Sequence, residues 1–233
     1  MLLALDTATR TLSLALHDGL SVVAENTWRT ADHHTVELAP NIAILLRRAG
    51  LTPNQLAGLA VALGPGSYTG LRIGLGLAKG LALAHNLPLV GVPTFEIVLR
   101  ALAPREERVV VVLQAGRGRV SAAAYFWNVK RARWEPEGGT RLLTWETLAE
   151  EIAKPTFVCG EVDAAGDETL RQVKEVTLAT PSQALRRAGW LAEIGWERLR
   201  QGHTEDAATL APIYGAQPDG SPFEARSEKK AGV

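Results

Sequence analysis

Cysteine is nearly absent from this chain: Cys159 is the one cysteine among 233 residues. A lone thiol excludes an internal disulfide framework, and without a Cys-x-x-Cys pair nothing signals structural zinc, so a reducing compartment is the simplest setting. Net charge is missing too, since 25 basic residues balance 25 acidic ones. With no overall basic field, composition alone does not mark a nucleic-acid binder. Nor is there a long unbroken apolar run. The opening MLLALDTAT has no basic flank and is cut by Asp6, and the apolar stretch over 69–85 is interrupted by glycines, Arg72 and Lys79. The expectation is neither a signal peptide nor a membrane span, but a soluble cytoplasmic protein.

What the chain has in abundance is glycine in one place, the stretch Leu63 to Asn86, LGPGSYTGLRIGLGLAKGLALAHN. A glycine-proline turn opens it and about five helical turns follow, with Ser67 or Thr69 as the hydroxyl that caps the first turn. At 100° per residue Leu71, Leu75, Ala78 and Ala82 form one stripe, while Ile73, Leu77, Gly80 and Ala84 make the far side apolar as well. A helix apolar nearly all round is covered on more than one side. The pairs Gly70/Gly74 and Gly76/Gly80 stack on its surface, and each glycine costs roughly 0.5 to 1 kcal/mol relative to alanine. The stretch therefore reads either as a core helix or as a helix with one face in an intermolecular seam.

Along the chain, Leu2–Asp6, Leu12–His17 and Val22–Trp28 read as three antiparallel strands, the second pair joined at Asp18-Gly19. His34–Ala49 reads as a helix carrying Leu38, Ile42 and Leu45 on one stripe, followed by a buried strand over Gly58–Leu63, the glycine-rich helix, a strand over Leu87–Pro93 and a helix begun at Thr94. After a charged boundary at Ala103–Glu107 the order recurs: strands at Arg108–Leu113, Val120–Trp127 and Ala132–Glu135, a helix from Thr144, strands at Thr156–Cys159 and Val173–Leu178 around a short helix, and one long helix over Pro181–Gln201. The repeated order points to duplication. From Ala216 the composition turns polar and predicts a flexible tail.

Several motifs invite a chemical reading. Asp6, followed by Thr7, Ala8 and Thr9, ends the first strand where actin-like folds set a carboxylate and a tight turn against phosphate and magnesium, yet no glycine occupies the turn. The alternative is a strand-end aspartate capping its own turn. Gly64, Gly66 and Gly70 mimic a phosphate loop, but the spacing lacks a Walker lysine and the usual acidic strand end. His33 and His34 are adjacent and point apart, and there is no Gly-x-Ser-x-Gly elbow, so no catalytic centre is legible.

LALDTAT at Leu3 to Thr9, HTVELAP at His34 to Pro40, LGPGSYTGLRIGLGLAKGLA at Leu63 to Ala82, GVPTFE at Gly91 to Glu96 and APIY at Ala211 to Tyr214 together resemble the bacterial TsaB (YeaZ) family. The resemblance implies an α/β fold of two actin-like (ribonuclease H-like) lobes, each with a mixed sheet of order βββαβα flanked by helices. The lobes would span 1–103 and 104–215, with 216–233 as tail. It implies a non-catalytic scaffold that binds and stabilises TsaD, working with the ATPase TsaE, in the complex that transfers threonylcarbamoyl to adenosine 37 of ANN-decoding tRNAs.

The same resemblance implies a homodimer when TsaD is absent, indirect or weak tRNA contact and no resident cofactor, with weak ATP or ADP binding at a subunit boundary as the exception. It places the seam on His34, Leu38, Ile42 and Leu45 with Leu71, Arg72, Gly74, Leu75, Ala78, Lys79 and Ala82, and leaves Asp6, Thr7 and Thr9 as a degenerate phosphate loop. The rival reading is an ATP-using kinase-like enzyme or a metal-independent peptidase of the same superfamily. One departure stands out. Where relatives read Asp-Ala-Arg-x-Gly-Glu-Val-Tyr, this chain has Gln114 to Ser121, QAGRGRVS. Arg117 and Arg119 there read as a solvated hairpin, or as an attractor of tRNA or nucleotide phosphate.

Overall fold

The structure, a computed structural model, describes residues 1–30 and 34–214. The first sheet is built from β1 (Leu2–Asp6), β2 (Thr11–His17) and β3 (Val22–Arg29), followed by α1 (His34–Arg48), β4 (Gly58–Gly64), α2 (Tyr68–His85), β5 (Leu89–Pro93) and α3 (Thr94–Arg100). Its order is β3-β2-β1-β4-β5, antiparallel through the hairpins and parallel from β1 to β4 to β5. β1 is buried along its whole length because both sheet faces are covered. Leu3 and Leu5 point into a cluster with Leu38, Ile42, Leu75 and Ala78 from α1 and α2, and their neighbours Leu2 and Ala4 point the other way.

The second half runs β6 (Arg108–Gly116), β7 (Arg119–Asn128), β8 (Arg133–Pro136), β9 (Arg141–Leu143), α4 (Trp145–Glu151), β10 (Thr156–Gly160), α5 (Ala164–Leu170), β11 (Val176–Leu178), α6 (Pro181–Ala184) and α7 (Ala188–Arg200). Its sheet, β11-β10-β6-β7-β8, repeats the strand order of the first, with β9 added beside β7. The two mixed sheets with their helices give the two-lobed α/β fold that the resemblance implies.

Two expectations need correction. The long helix over 181–201 is broken: Leu185 and Arg187 have extended backbone, so α6 ends at Ala184 and α7 begins at Ala188. Leu185, at the break, is exposed. The chain after this break also leaves the second lobe, although the sequence pattern assigns 104–215 to it. Ala188, Leu191, Ala192 and Ile194 of α7 cover the far face of the first sheet, where Gly195 brings the helix so close that a Cβ would stand 2.5 Å from that of Ala60. The following segment stays there, with Glu205 N donating to Leu89 O and Ile213 N to Leu63 O. The tail from 216 and His33 lie outside the described residues.

Candidate functional site

The end of β1 and the break between α6 and α7 meet in one polar cluster. Asp6 caps its own turn by accepting from Ala8 N at 3.0 Å. Its carboxylate also receives Arg186, with Nε at 2.5 Å from Oδ2 and an Nη at 3.3 Å from Oδ1. The same guanidinium donates to Thr9 Oγ1 at 2.9 Å, to Thr11 O at 3.4 Å and, across to the second lobe, to Glu161 Oε1 at 3.1 Å. Thr9 Oγ1 itself donates to Glu161. Glu161 is held in turn by Gln114 N at 3.2 Å.

The ion pair is withdrawn from water, with side-chain exposures of 2% for Arg186 and 0% for Asp6. Burial works against the charge on Arg186, but Asp6 and Glu161 outweigh it and hold the guanidinium above its ordinary range. This settles how the Asp6 turn compares with a phosphate loop. A magnesium-phosphate group needs a carboxylate free to face it and small residues that let backbone amides approach. Here the chain's own guanidinium fills the place in front of Asp6, so these residues do not fit such a group. Thr7 is likewise engaged, its hydroxyl donating to Gly70 O at 2.7 Å. No cluster of three or more His, Cys, Asp or Glu able to hold a metal occurs among the described residues.

Neither Arg186 nor Glu161 stands out in the sequence. Glu161 follows the end of β10, the counterpart of β4, and a carboxylate just past a buried strand is the available signal for it. Arg186 gives none, because it lies within an apparently helical run.

Above the cluster, the lobes enclose a cleft of about 1580 Å³, lined by the N-terminal turn of α2, the β6–β7 hairpin, the turn after β10 and Tyr214. Ser67 proves to be the cap of α2, accepting from Gly70 N at 3.3 Å.

The residues assigned to a seam divide by position. Leu38, Ile42, Leu45, Leu71, Gly74, Leu75, Ala78 and Ala82 are all buried within the chain's own core. The two helices lie on the first sheet, and their strongest apolar stripes are used there. Gly74 is packed against Thr7, where a Cβ would stand 2.1 Å from Oγ1, so its lack of a side chain serves the chain itself. Arg72 and Lys79 hold the C-terminal segment along α2: Arg72 Nε donates to Tyr214 Oη at 3.1 Å and Lys79 Nζ to Ala208 O at 3.4 Å. Of His34, only its backbone place at the start of α1 is described.

What remains outward is a second stripe. On α2 it runs through Gly76, Gly80 and Leu83, and on the neighbouring α1 through Val36, Ala39 and Ala43. Leu83 and Val36 are 72% and 66% exposed. Where Cβ atoms on Gly76 and Gly80 would stand, nothing lies within 4 Å. No described helix is long and apolar enough to cross a membrane.

Comparison with known proteins agrees with this architecture. Residues 23–133 match the family model described as TsaD, tRNA N6-adenosine threonylcarbamoyltransferase. The tRNA threonylcarbamoyladenosine biosynthesis protein TsaB of Haemophilus influenzae is 30% identical over 224 residues, covering 91% of this chain and 92% of that protein. Its counterpart of the same name in Bacillus subtilis is 29% identical over 216 residues, with 91% and 93% covered. The solved structure of YeaZ from Pseudomonas aeruginosa superposes with a TM-score of 0.70 at 26% identity, over 91% of this chain and 99% of that one.

Proposed function

This chain belongs to the TsaB (YeaZ) family of tRNA threonylcarbamoyladenosine biosynthesis proteins, and we propose that within that pathway it acts as a non-catalytic scaffold. Its partner is a TsaD-type protein, which carries out the transfer of threonylcarbamoyl to adenosine, with TsaE as a further member of the assembly. When TsaD is absent, a second copy of this chain takes the same face.

The observation that carries the reading is the open glycine pair. Gly76 and Gly80 weaken an exposed helix surface by roughly 0.5 to 1 kcal/mol each and meet no atom of their own chain that would require it. A flat glycine stripe flanked by Val36, Ala43 and Leu83 lets another helix approach closely and cover apolar surface. In this reading the seam is the outward stripe of α1 and α2, one helix face away from the residues on which the resemblance places it. Arg186 in front of Asp6 supports the absence of chemistry of its own: a kinase-like reaction would need that carboxylate for metal and phosphate. The buried Cys159 offers a peptidase no nucleophile, because burial keeps its thiol protonated.

Size-exclusion chromatography with light scattering on the chain alone, and after mixing with TsaD from the same source, tests the reading. A dimer that exchanges into a mixed complex is the expected result. A chain that stays monomeric and ignores TsaD removes both the seam and the scaffold role.

A further inference from the structure

The chain is neutral overall, but the cleft between its lobes is not. Six arginines line it: Arg10 and Arg29 from the β1–β2 turn and the end of β3, Arg72 from α2, Arg117 and Arg119 from the β6–β7 hairpin, and Arg171 from the end of α5. Three acidic residues line it with them, and each is engaged within the chain. Glu161 holds Arg186, Asp163 caps α5 through Gly166 N, and Asp167 pairs with Arg171. The lining therefore carries six positive against three negative charges, a local excess of three.

Two further features separate this from an ordinary charged surface. The hairpin tip reads Gly116-Arg117-Gly118 with φ of 75°, 55° and 69°. A two-residue turn with both φ values positive favours Asn-Gly, and an arginine at its first position carries a backbone penalty that asparagine would largely avoid. Strain of that kind at a surface turn directs attention to what the side chain does. At the opposite wall Tyr68 stacks on Tyr214 with ring centroids 5.2 Å apart, and Arg72 lies over the Tyr68 ring at 4.2 Å. Tyr68 is more than half exposed and belongs to the lining. Cationic walls that can follow a phosphate chain, together with an aromatic platform for bases, are the combination that single-stranded nucleic acid uses.

We propose that the inter-lobe cleft binds a single-stranded RNA segment, with Arg117 and Arg119 on its phosphates and a base packed against the Tyr68–Tyr214 pair. The arginines are spread over both walls rather than converging on one point, which suits a chain of phosphates better than a single nucleotide. The depth of the cleft, where a nucleotide's phosphates would meet Asp6, is filled by Arg186. Only the identification of the strand as part of a tRNA rests on the function proposed above.

The test is fluorescence anisotropy of the full chain with a labelled mixed-sequence RNA of about twelve nucleotides, titrated at salt concentrations from about 50 to about 200 mM. Wild-type protein is expected to bind, with affinity falling steeply as salt rises. Arg117→Ala/Arg119→Ala should bind at least about tenfold more weakly at the lowest salt, with a log–log salt slope shallower by about 1.4, at ~0.7 for each phosphate no longer neutralised. Tyr68→Ala should weaken binding by about five- to a hundredfold and leave the slope unchanged. Wild-type affinity and slope in the arginine double variant would overturn the proposal. So would displacement of the RNA by ATP at matched phosphate concentration, which would make the cleft a nucleotide site. Light scattering with TsaD on the same samples separates the two claims: loss of assembly with intact RNA binding removes the scaffold reading and leaves the cleft proposal standing.

Discussion

Arg186 and Asp6 are joined across 180 residues, Nε to Oδ2 at 2.5 Å, and with Glu161 they tie both lobes to the break between α6 and α7. Removing the cation leaves two carboxylates without their partner in a buried place. Arg186→Met should therefore lower stability by about 3 to 5 kcal/mol in urea unfolding, far more than an exposed pair such as Arg171–Asp167 would on losing its arginine. Asp6→Asn in the Arg186→Met background should cost much less than it does alone, because the two changes remove one interaction. Independent, additive effects would show that the pair does not hold the lobes.

Gly76→Ala and Gly80→Ala separate folding from assembly. Each adds a methyl group where the chain itself has open space, so each should raise the stability of the isolated chain by roughly 0.5 to 1 kcal/mol. Binding to TsaD should weaken at the same time, and Gly80→Leu should weaken it further. A rise in stability with unchanged binding would place the seam elsewhere.

Gly74 should behave in the opposite way. A Cβ there meets Thr7 Oγ1 at 2.1 Å, and Thr7 is held by its own bond to Gly70 O. Gly74→Ala should destabilise the isolated chain by about 1 to 3 kcal/mol, the range for overpacking a tight contact. Thr7→Ala, which removes the hydroxyl that the new Cβ would meet, should recover part of that loss when combined with it.

Most of the architecture is legible in the sequence because its signals are local. β1 through α2 follow from alternation, the turn at Asp18-Gly19 and the glycine-proline turn before Ser67, and observed limits differ by only a residue or two. What escapes the sequence does so for equally physical reasons. Helical periodicity identifies apolar stripes without saying whether a sheet or a partner covers them, so it does not reveal that Leu75 and Ala78 are spent on the chain's own sheet while Gly76 and Leu83 face outward. The break at Leu185–Arg187 comes from Asp6 and Glu161, far away in sequence, drawing in one guanidinium, and no local propensity encodes that. β9 escapes detection because a three-residue strand carries too little pattern.

Two buried groups set the chain's response to alkali. Burial pushes the Cys159 thiol from its ordinary 9.0 up to about 12, the nearby Arg105 opposing this. Tyr125 rises from 10.0 to about 12 through burial, reinforced by the Glu96 carboxylate. Each is neutral when protonated, so the unfolded chain loses these protons first as pH rises. Their contribution to stability is complete below about pH 9 and is lost as pH climbs towards about 12. Unfolding free energies measured in urea across that window should fall, with a limiting slope of about 1.4 kcal/mol per pH unit for each group. Tyr125→Phe should remove the part of the decline that begins near pH 10, and Cys159→Ala the part that begins near pH 9. A native thiol that reacts at pH 8 as fast as one in urea-unfolded chain would contradict the burial on which both expectations depend.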